Sequence, residues 1–209
     1  MPDFNIENLY QGAVAGIDEA GRGPWAGPVV AGAVIILDRN LSDILLQGLD
    51  DSKKLSAKKR EILYQELFAE QERGKVCIGI GQASCQEIDD LNILQATFLA
   101  MKRAAAQLQV RPETALVDGN RTPPEFFCPV QTVVKGDSKS MSIAAASIVA
   151  KVYRDRLMQK LAEKYPHYGF EKNAGYGTAA HIEGLKVYGV TPEHRKSYKP
   201  IQEFMKKSA

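Results

Sequence analysis

The amino-acid sequence predicts an α/β fold built on a mixed sheet. Apolar, strand-like runs come first and then alternate with helix-like stretches. Several of those runs are almost wholly apolar, as strands covered on both faces are. At 209 residues the chain is long enough to bury a proper core, and it suits one domain plus an appendage.

Residues 14–18 form a short apolar run ending in acid, and residues 27–37 are almost continuously apolar. Both read as strands, joined into a hairpin by the Gly-Arg-Gly-Pro turn at residues 21–24. Ser56 is placed to cap a helix over residues 57–72, with Ile62, Leu63 and Leu67 facing inward and Gly74 beyond its end. Residues 75–81 read as a third strand. Ser84 and Glu87 fit a capping box, and a longer helix follows, with Leu94, Phe98, Met101, Ala105 and Leu108 spaced by fours and threes. Residues 114–118 and 131–137 are strands that again run apolar and stop at an acid. A helix over residues 142–164 turns Ile148, Val149, Val152, Leu157 and Leu161 inward, and Lys151, Arg154, Arg156 and Lys160 mostly outward; Pro166 ends it. Residues 166–177 are a Gly- and Tyr-rich loop, and a last helix over residues 178–188 is stopped by Gly189 and Pro192.

Composition narrows the function. With 44% hydrophobic and 25% charged residues the chain has the make-up of an ordinary globular protein. No apolar run approaches the ~18 residues of a membrane helix, and no basic-then-apolar N-terminal stretch marks a signal peptide. Cys77, Cys85 and Cys128 are widely spaced, which suits a reducing compartment; a cytoplasmic protein with no membrane association is expected. The formal net charge of +2 hides an asymmetry. Residues 138–209 hold 13 Lys/Arg against 6 Asp/Glu, and residues 1–137 hold 14 against 19. A basic third beside an acidic remainder fits a polyanion-binding surface next to a cation-binding one, and it also fits a solvated helix face.

Three apolar runs end in carboxylate: at Asp18 and Glu19, at Asp118 and at Asp137. Ligands of α/β sheets gather outside strand ends, so acids placed there can converge. Crowded carboxylates need a counter-charge, and all-oxygen ligation selects Mg²⁺ or Mn²⁺. Successive strand residues face opposite ways, so Asp18 and Glu19 share a site only if the strand bends between them. Taken singly, each acid has a structural reading: strand-end acids for the first pair, turn sequence for Asp118-Gly119-Asn120, and a helix start for Asp137. Gly21, Arg22 and Gly23 form either a plain hairpin turn or a cradle of N–H groups for phosphate or ribose oxygens. Lys53 sits in a charged loop, and Tyr176, between Gly175 and Gly177, is either a stacking platform or a groove filler. His167, His181 and His194 are too scattered for a metal cluster.

Five segments, in order, resemble the ribonuclease HII family along nearly the whole chain. They are AGIDEAGRGPWAGPVVAGAVIIL (residues 15–37), DSKKLS (51–56), LVDGN (116–120), VVKGDSKSMSIAAASIVAKVYRD (133–155) and GYGTAAH (175–181). The resemblance implies a ribonuclease H-like mixed sheet flanked by helices over residues 1–165, and a small C-terminal helical extension, residues 166–209, that packs on it and helps bind substrate. It implies that Asp18, Glu19, Asp118 and Asp137 are catalytic carboxylates holding Mn²⁺ or Mg²⁺. By the same likeness, Gly21, Arg22 and Gly23 sense a ribose 2′-hydroxyl, Tyr176 stacks on a sugar, and Lys53 lies near the scissile phosphate. The implied activity is two-metal hydrolysis of the RNA strand of RNA/DNA hybrids, and cutting 5′ of ribonucleotides in duplex DNA, leaving 3′-hydroxyl and 5′-phosphate ends. A general DNA endonuclease on the same fold and a non-catalytic nucleic-acid-binding module are the alternatives. A monomer is expected, since no surplus apolar stripe asks for a partner. Two departures stand out: Trp25 replaces a smaller apolar residue, and Asn173-Ala174 stands where many members carry His-Lys.

Overall fold

In the computed structural model, which describes residues 1–207, a mixed sheet divides two packed layers of helix. Its strands are β1 (Val14–Ala20), β2 (Val29–Ile36), β3 (Val76–Ala83), β4 (Thr114–Asp118) and β5 (Val130–Val133), in the order β3-β2-β1-β4-β5. β1, β2 and β3 form an antiparallel meander, while β4 and β5 add in parallel beside β1. The helices are α1 (Asp43–Gly48), α2 (Ala57–Glu72), α3 (Cys85–Leu91), α4 (Ile93–Ala106), α5 (Met141–Lys164), α6 (Phe170–Asn173), α7 (Ala179–Tyr188) and α8 (Lys199–Lys207).

The local signals for helix starts act as read. Ser56 accepts from the Lys59 N–H, and Ser84 with Glu87 completes a capping box, because each satisfies N–H groups that the first helical turn leaves free. Two helices follow Ser84: the capped α3 and, beyond it, the longer α4, which carries Leu94, Phe98, Met101 and Ala105. Asn92, at φ 70°, breaks the chain direction, and its side chain accepts from Leu94 and Gln95 to start α4 afresh. In α2, Leu63 and Leu67 are buried, but Ile62, expected inward, is 45% exposed. Leu63, Leu67 and Glu70 already define the buried face, and Ile62 lies about 100° around the helix from Leu63.

α5 covers one face of the sheet with α1 and α2, and α4 covers the other. The segment after α5 is no separate body: Tyr168, Phe170, Leu185 and Ile201 share one apolar cluster with Ala26 and with Met158 of α5. Three readings of this part change. Residues 166–177, expected as a loop, contain α6. Arg154, expected outward, is 2% exposed, because its side chain runs under the sheet's loop to carbonyls there. α8 was not foreseen; Pro200 stands in its first turn, where a missing N–H costs nothing. Of the expected extension over residues 166–209, positions 208 and 209 lie outside the described residues. No helix among the described residues is long and apolar enough to cross a membrane.

Candidate active site

β1 and β4 run parallel and in register through Ile17↔Val117, so Asp18 and Asp118 stand next to one another one residue further on. Both point to the α5 face, as Gly16 and Leu116 two residues earlier do. Asp118 is anchored there by the main-chain N–H of Gly136, which donates to its Oδ1 at 2.6 Å. Asp18 is 6% exposed and accepts from the Glu19 N–H at 2.7 Å. The sequence reading required a bend between Asp18 and Glu19 for the two to share a site, yet β1 runs unbroken there and its pairing with β2 continues to Ala20↔Val30. β4 has already ended by then, and Glu19 reaches the same cavity as Asp18.

The fourth acid is placed differently from the sequence reading. β5 stops at Val133, and Asp137 lies on a 3-10 turn, Gly136–Ser138, just before α5. Lys135, at φ 57°, turns the chain out of the sheet before Asp137 is reached. Asp137 is nonetheless 8% exposed and within electrostatic reach of Asp118. An acid that the sequence reading passed over, Asp51, stands beside Asp137.

The site is short of positive charge. Burial first, then repulsion from Glu19 and Asp118, holds the Asp18 carboxyl well above the ordinary range, against hydrogen bonds from Ser147 and the Glu19 N–H. Burial also raises Glu19, opposed by Arg22, whose guanidinium lies 3.3 Å from its carboxylate, while Asp118 adds to the rise. Asp137 is raised by burial, then by Asp51 and Asp118, with Lys53 opposing. Among the described residues, no three acids, histidines or cysteines are drawn into a ready ligand cage. Carboxylates at close quarters hold one another apart until a cation lies between them. The donor set is all oxygen, anionic and partly dehydrated, which is the chemistry a hard divalent cation takes.

A cavity of about 690 Å³ opens from these acids. Asp18, Glu19, Gly21, Arg22, Gly23, Lys53 and Tyr176 line it; Asp118 and Asp137 are not part of that lining. Ser52, Ser147 and Lys151 line it too and escaped the sequence reading. The helical periodicity of α5 was the available signal: Ser147, Lys151 and Arg154 lie at spacings of four and three on one face. Ser147 and Ser52 share a hydrogen bond at 2.8 Å between their hydroxyls, tying α5 to the loop that carries Lys53.

Tyr176 is 53% exposed and stands beside Gly23, so the two candidate substrate loops meet. Its flanking glycines permit close packing around the loop. A side chain on Gly175 would strike the Ala26 carbonyl, and one on Gly177 would strike the Trp25 ring at 2.2 Å. Trp25 therefore packs under the tyrosine loop. Asn173 is buried and works as a bracket for that loop: it donates to Tyr168 O and Thr178 Oγ1 and accepts from the Gly175 N–H.

Two of the scattered histidines meet inside the extension. His181 Nε2 and His194 Nε2 are 2.9 Å apart. The Thr191 N–H donates to His194 Nδ1, so His194 carries its proton on Nε2 and donates to His181, which in turn donates from Nδ1 to Tyr176 O. That chain requires both rings neutral. Burial, then repulsion from His181, lowers His194 to about 4, and burial lowers His181. A histidine depressed in the folded state lends stability above its unfolded pKa near 6.5 and loses it as pH falls towards the folded value. Between pH 7 and pH 4.5 the protein is expected to lose roughly 2–3 kcal/mol through His194. Urea denaturation at both pH values should show a smaller loss in His194→Gln; equal losses would sink this account.

The sheet order and its flanking helices are those of the ribonuclease H enzymes. The ribonuclease H2 of Pyrococcus horikoshii superposes with a TM-score of 0.75 at 29% identity, over 94% of this chain and 98% of that one. A Bst-RNase HIII solved in complex with Mn²⁺ gives 0.76 over 97% of this chain and 72% of that one; at 17% identity this is a likeness of fold alone. The chain is thus an enzyme of the ribonuclease H class. The Ribonuclease HII family model matches residues 15–201, and the ribonuclease HII of Rhodospirillum rubrum is 56% identical over 209 residues, covering all of this chain and 94% of that protein. The chain belongs to the ribonuclease HII family.

Proposed function

We propose that this endonuclease hydrolyses the RNA strand of RNA/DNA hybrids and cuts 5′ of ribonucleotides embedded in duplex DNA, leaving 3′-hydroxyl and 5′-phosphate ends. The observation that carries the reading is the union, in one cavity, of strand-end carboxylates with residues 21–23 and an open tyrosine. Asp18, Glu19, Asp118 and Asp137 would hold the divalent cations, Mg²⁺ or Mn²⁺. Bound there, two such ions would supply an activated water and offset charge on the departing 3′ oxygen.

The remaining work falls to the chain's own groups. Lys53 and Arg22, at the cavity wall, attract the phosphate that the carboxylates alone would repel. Lys151 adds to that attraction from α5. Tyr176 offers a flat ring to the sugar at the junction, and the N–H groups of residues 21–23 read the 2′-hydroxyl, the one group that separates RNA from DNA there. We take residues 1–165 as the catalytic part and residues 166–209 as the substrate-binding extension, because the tyrosine comes from the latter. A cytoplasmic monomer completes the proposal.

The test is a labelled DNA duplex with one ribonucleotide, beside an all-DNA duplex of the same sequence, with Mg²⁺ or Mn²⁺. A single cut 5′ to the ribonucleotide is expected. Equal cutting of both duplexes would make the protein a general DNA endonuclease, and binding without cutting would make it an inert binding module.

A further inference from the structure

Arg195 lies between α7 and α8 and is fully buried. A guanidinium has five N–H bonds, and here each finds an oxygen. Nε donates to Gly27 O at 3.0 Å, Nη1 to Arg22 O at 2.8 Å and to the Tyr198 hydroxyl at 3.0 Å, and Nη2 to Gly21 O at 2.5 Å and Gly27 O at 2.8 Å. None of these acceptors is a carboxylate. The Tyr198 hydroxyl donates in turn to Arg22 O at 2.7 Å. Main-chain bonds run alongside: Arg195 N–H to Trp25 O, and Gly27 N–H to Glu193 O.

A peptide unit is planar and trans, so its C=O and N–H point opposite ways. Gripping the carbonyls of Gly21 and Arg22 from inside therefore aims the N–H groups of Arg22 and Gly23 away from the guanidinium, towards the cavity that these residues line. Gly21 can sit there only as glycine: at φ +96° its missing side chain would occupy the space of Arg154 Nε. Arg154 grips the other side, donating to Ala26 O, Pro28 O and Ala174 O, and so ties the tyrosine loop to the same segment.

We propose that Arg195 is a positioning residue for ribose recognition: by holding the carbonyls of residues 21, 22 and 27 it presents the Arg22 and Gly23 N–H groups to the 2′-hydroxyl. This rests on the reading of residues 21–23 as the ribose-sensing loop. A buried cation without an anionic partner costs several kcal/mol, and a hydrophobic residue would fill the space with less penalty. What a hydrophobic residue lacks is a rigid planar fork that fixes three carbonyls at once. Lysine lacks it too, being a point charge with three donors on a flexible stem.

The test compares the full chain with Arg195→Lys and Tyr198→Phe on duplexes that differ only in the cut-site sugar: ribose, 2′-fluoro or 2′-deoxy. Arg195→Lys should slow single-turnover cutting at the ribonucleotide about 30-fold and shrink the preference for ribose over 2′-fluoro, with Kd for the all-DNA duplex unchanged. Tyr198→Phe, which leaves four of the five arginine bonds in place, should slow it about threefold in the same pattern. Variants that keep the wild-type rate and sugar preference overturn the proposal. Should Arg195→Lys lose its cooperative melting transition, Tyr198→Phe decides the matter alone. A wild-type protein with no preference for ribose would refute the functional reading itself, which is a different failure.

Discussion

Asp18→Asn is expected to lower the cleavage rate at least about 10³-fold while making the cation-free protein more stable by roughly 1 kcal/mol. The two effects share one cause. Asp18 is buried beside Asp118 and Glu19 and is held well above the ordinary carboxylate range by burial and by their charges. A carboxyl raised in the folded state contributes stability below its unfolded pKa and loses it as pH rises through the folded one. At neutral pH the charged form is therefore a net cost that asparagine removes, and the same charge is what a divalent cation would be drawn to. Thermal denaturation with and without Mn²⁺ gives the check: the ion should raise the Tm of the wild type and leave the variant nearly unmoved. A variant that cuts at more than about a tenth of the wild-type rate would remove Asp18 from the catalytic set. A variant less stable than wild type would refute the account of its repulsion.

Gly16→Ala is expected to cost about 3 kcal/mol, a fall in Tm of roughly 6–12 °C. Gly16 lies two residues before Asp18, facing α5, and an added Cβ would stand 2.1 Å from the Ser142 carbonyl carbon and 2.3 Å from Ile143 N. Those are main-chain atoms of a long, fully packed helix, so no side chain can swing aside. α5 would have to lift off β1, carrying Ser147, Lys151 and Arg154 with it. Gly74→Ala is the control: Gly74 has φ +73° but open space around it, so its cost is strain alone, about 1 kcal/mol. Equal Tm losses in the two variants would mean that the helix-to-sheet approach at Gly16 is not what its missing side chain serves.

Much of the fold was legible because its signals are short-ranged. Ser56 and Ser84 cap helices through N–H groups three residues away, and the buried strands declare themselves as unbroken apolar runs. Asp118 ends β4 as read. The misreadings occur where local patterns are shared by different structures. The run at residues 131–137 has the look of a strand to its end, yet Lys135 turns it and Asp137 lands on a helical turn.

The sequence by itself determined the mixed sheet, most helix boundaries, the family resemblance and a short list of acids, because each depends on neighbours within a few positions or on a pattern long enough to be specific. Only the tertiary structure decided that Arg154 turns inward, that His181 and His194 are joined by a hydrogen bond, and that Arg195 holds a loop 168 to 174 residues earlier in the chain. An arginine on an amphipathic helix, or in a turn, has no local signature for burial. Its environment is set by carbonyls whose position follows from how the whole chain closes, and charge alone predicts water as its partner.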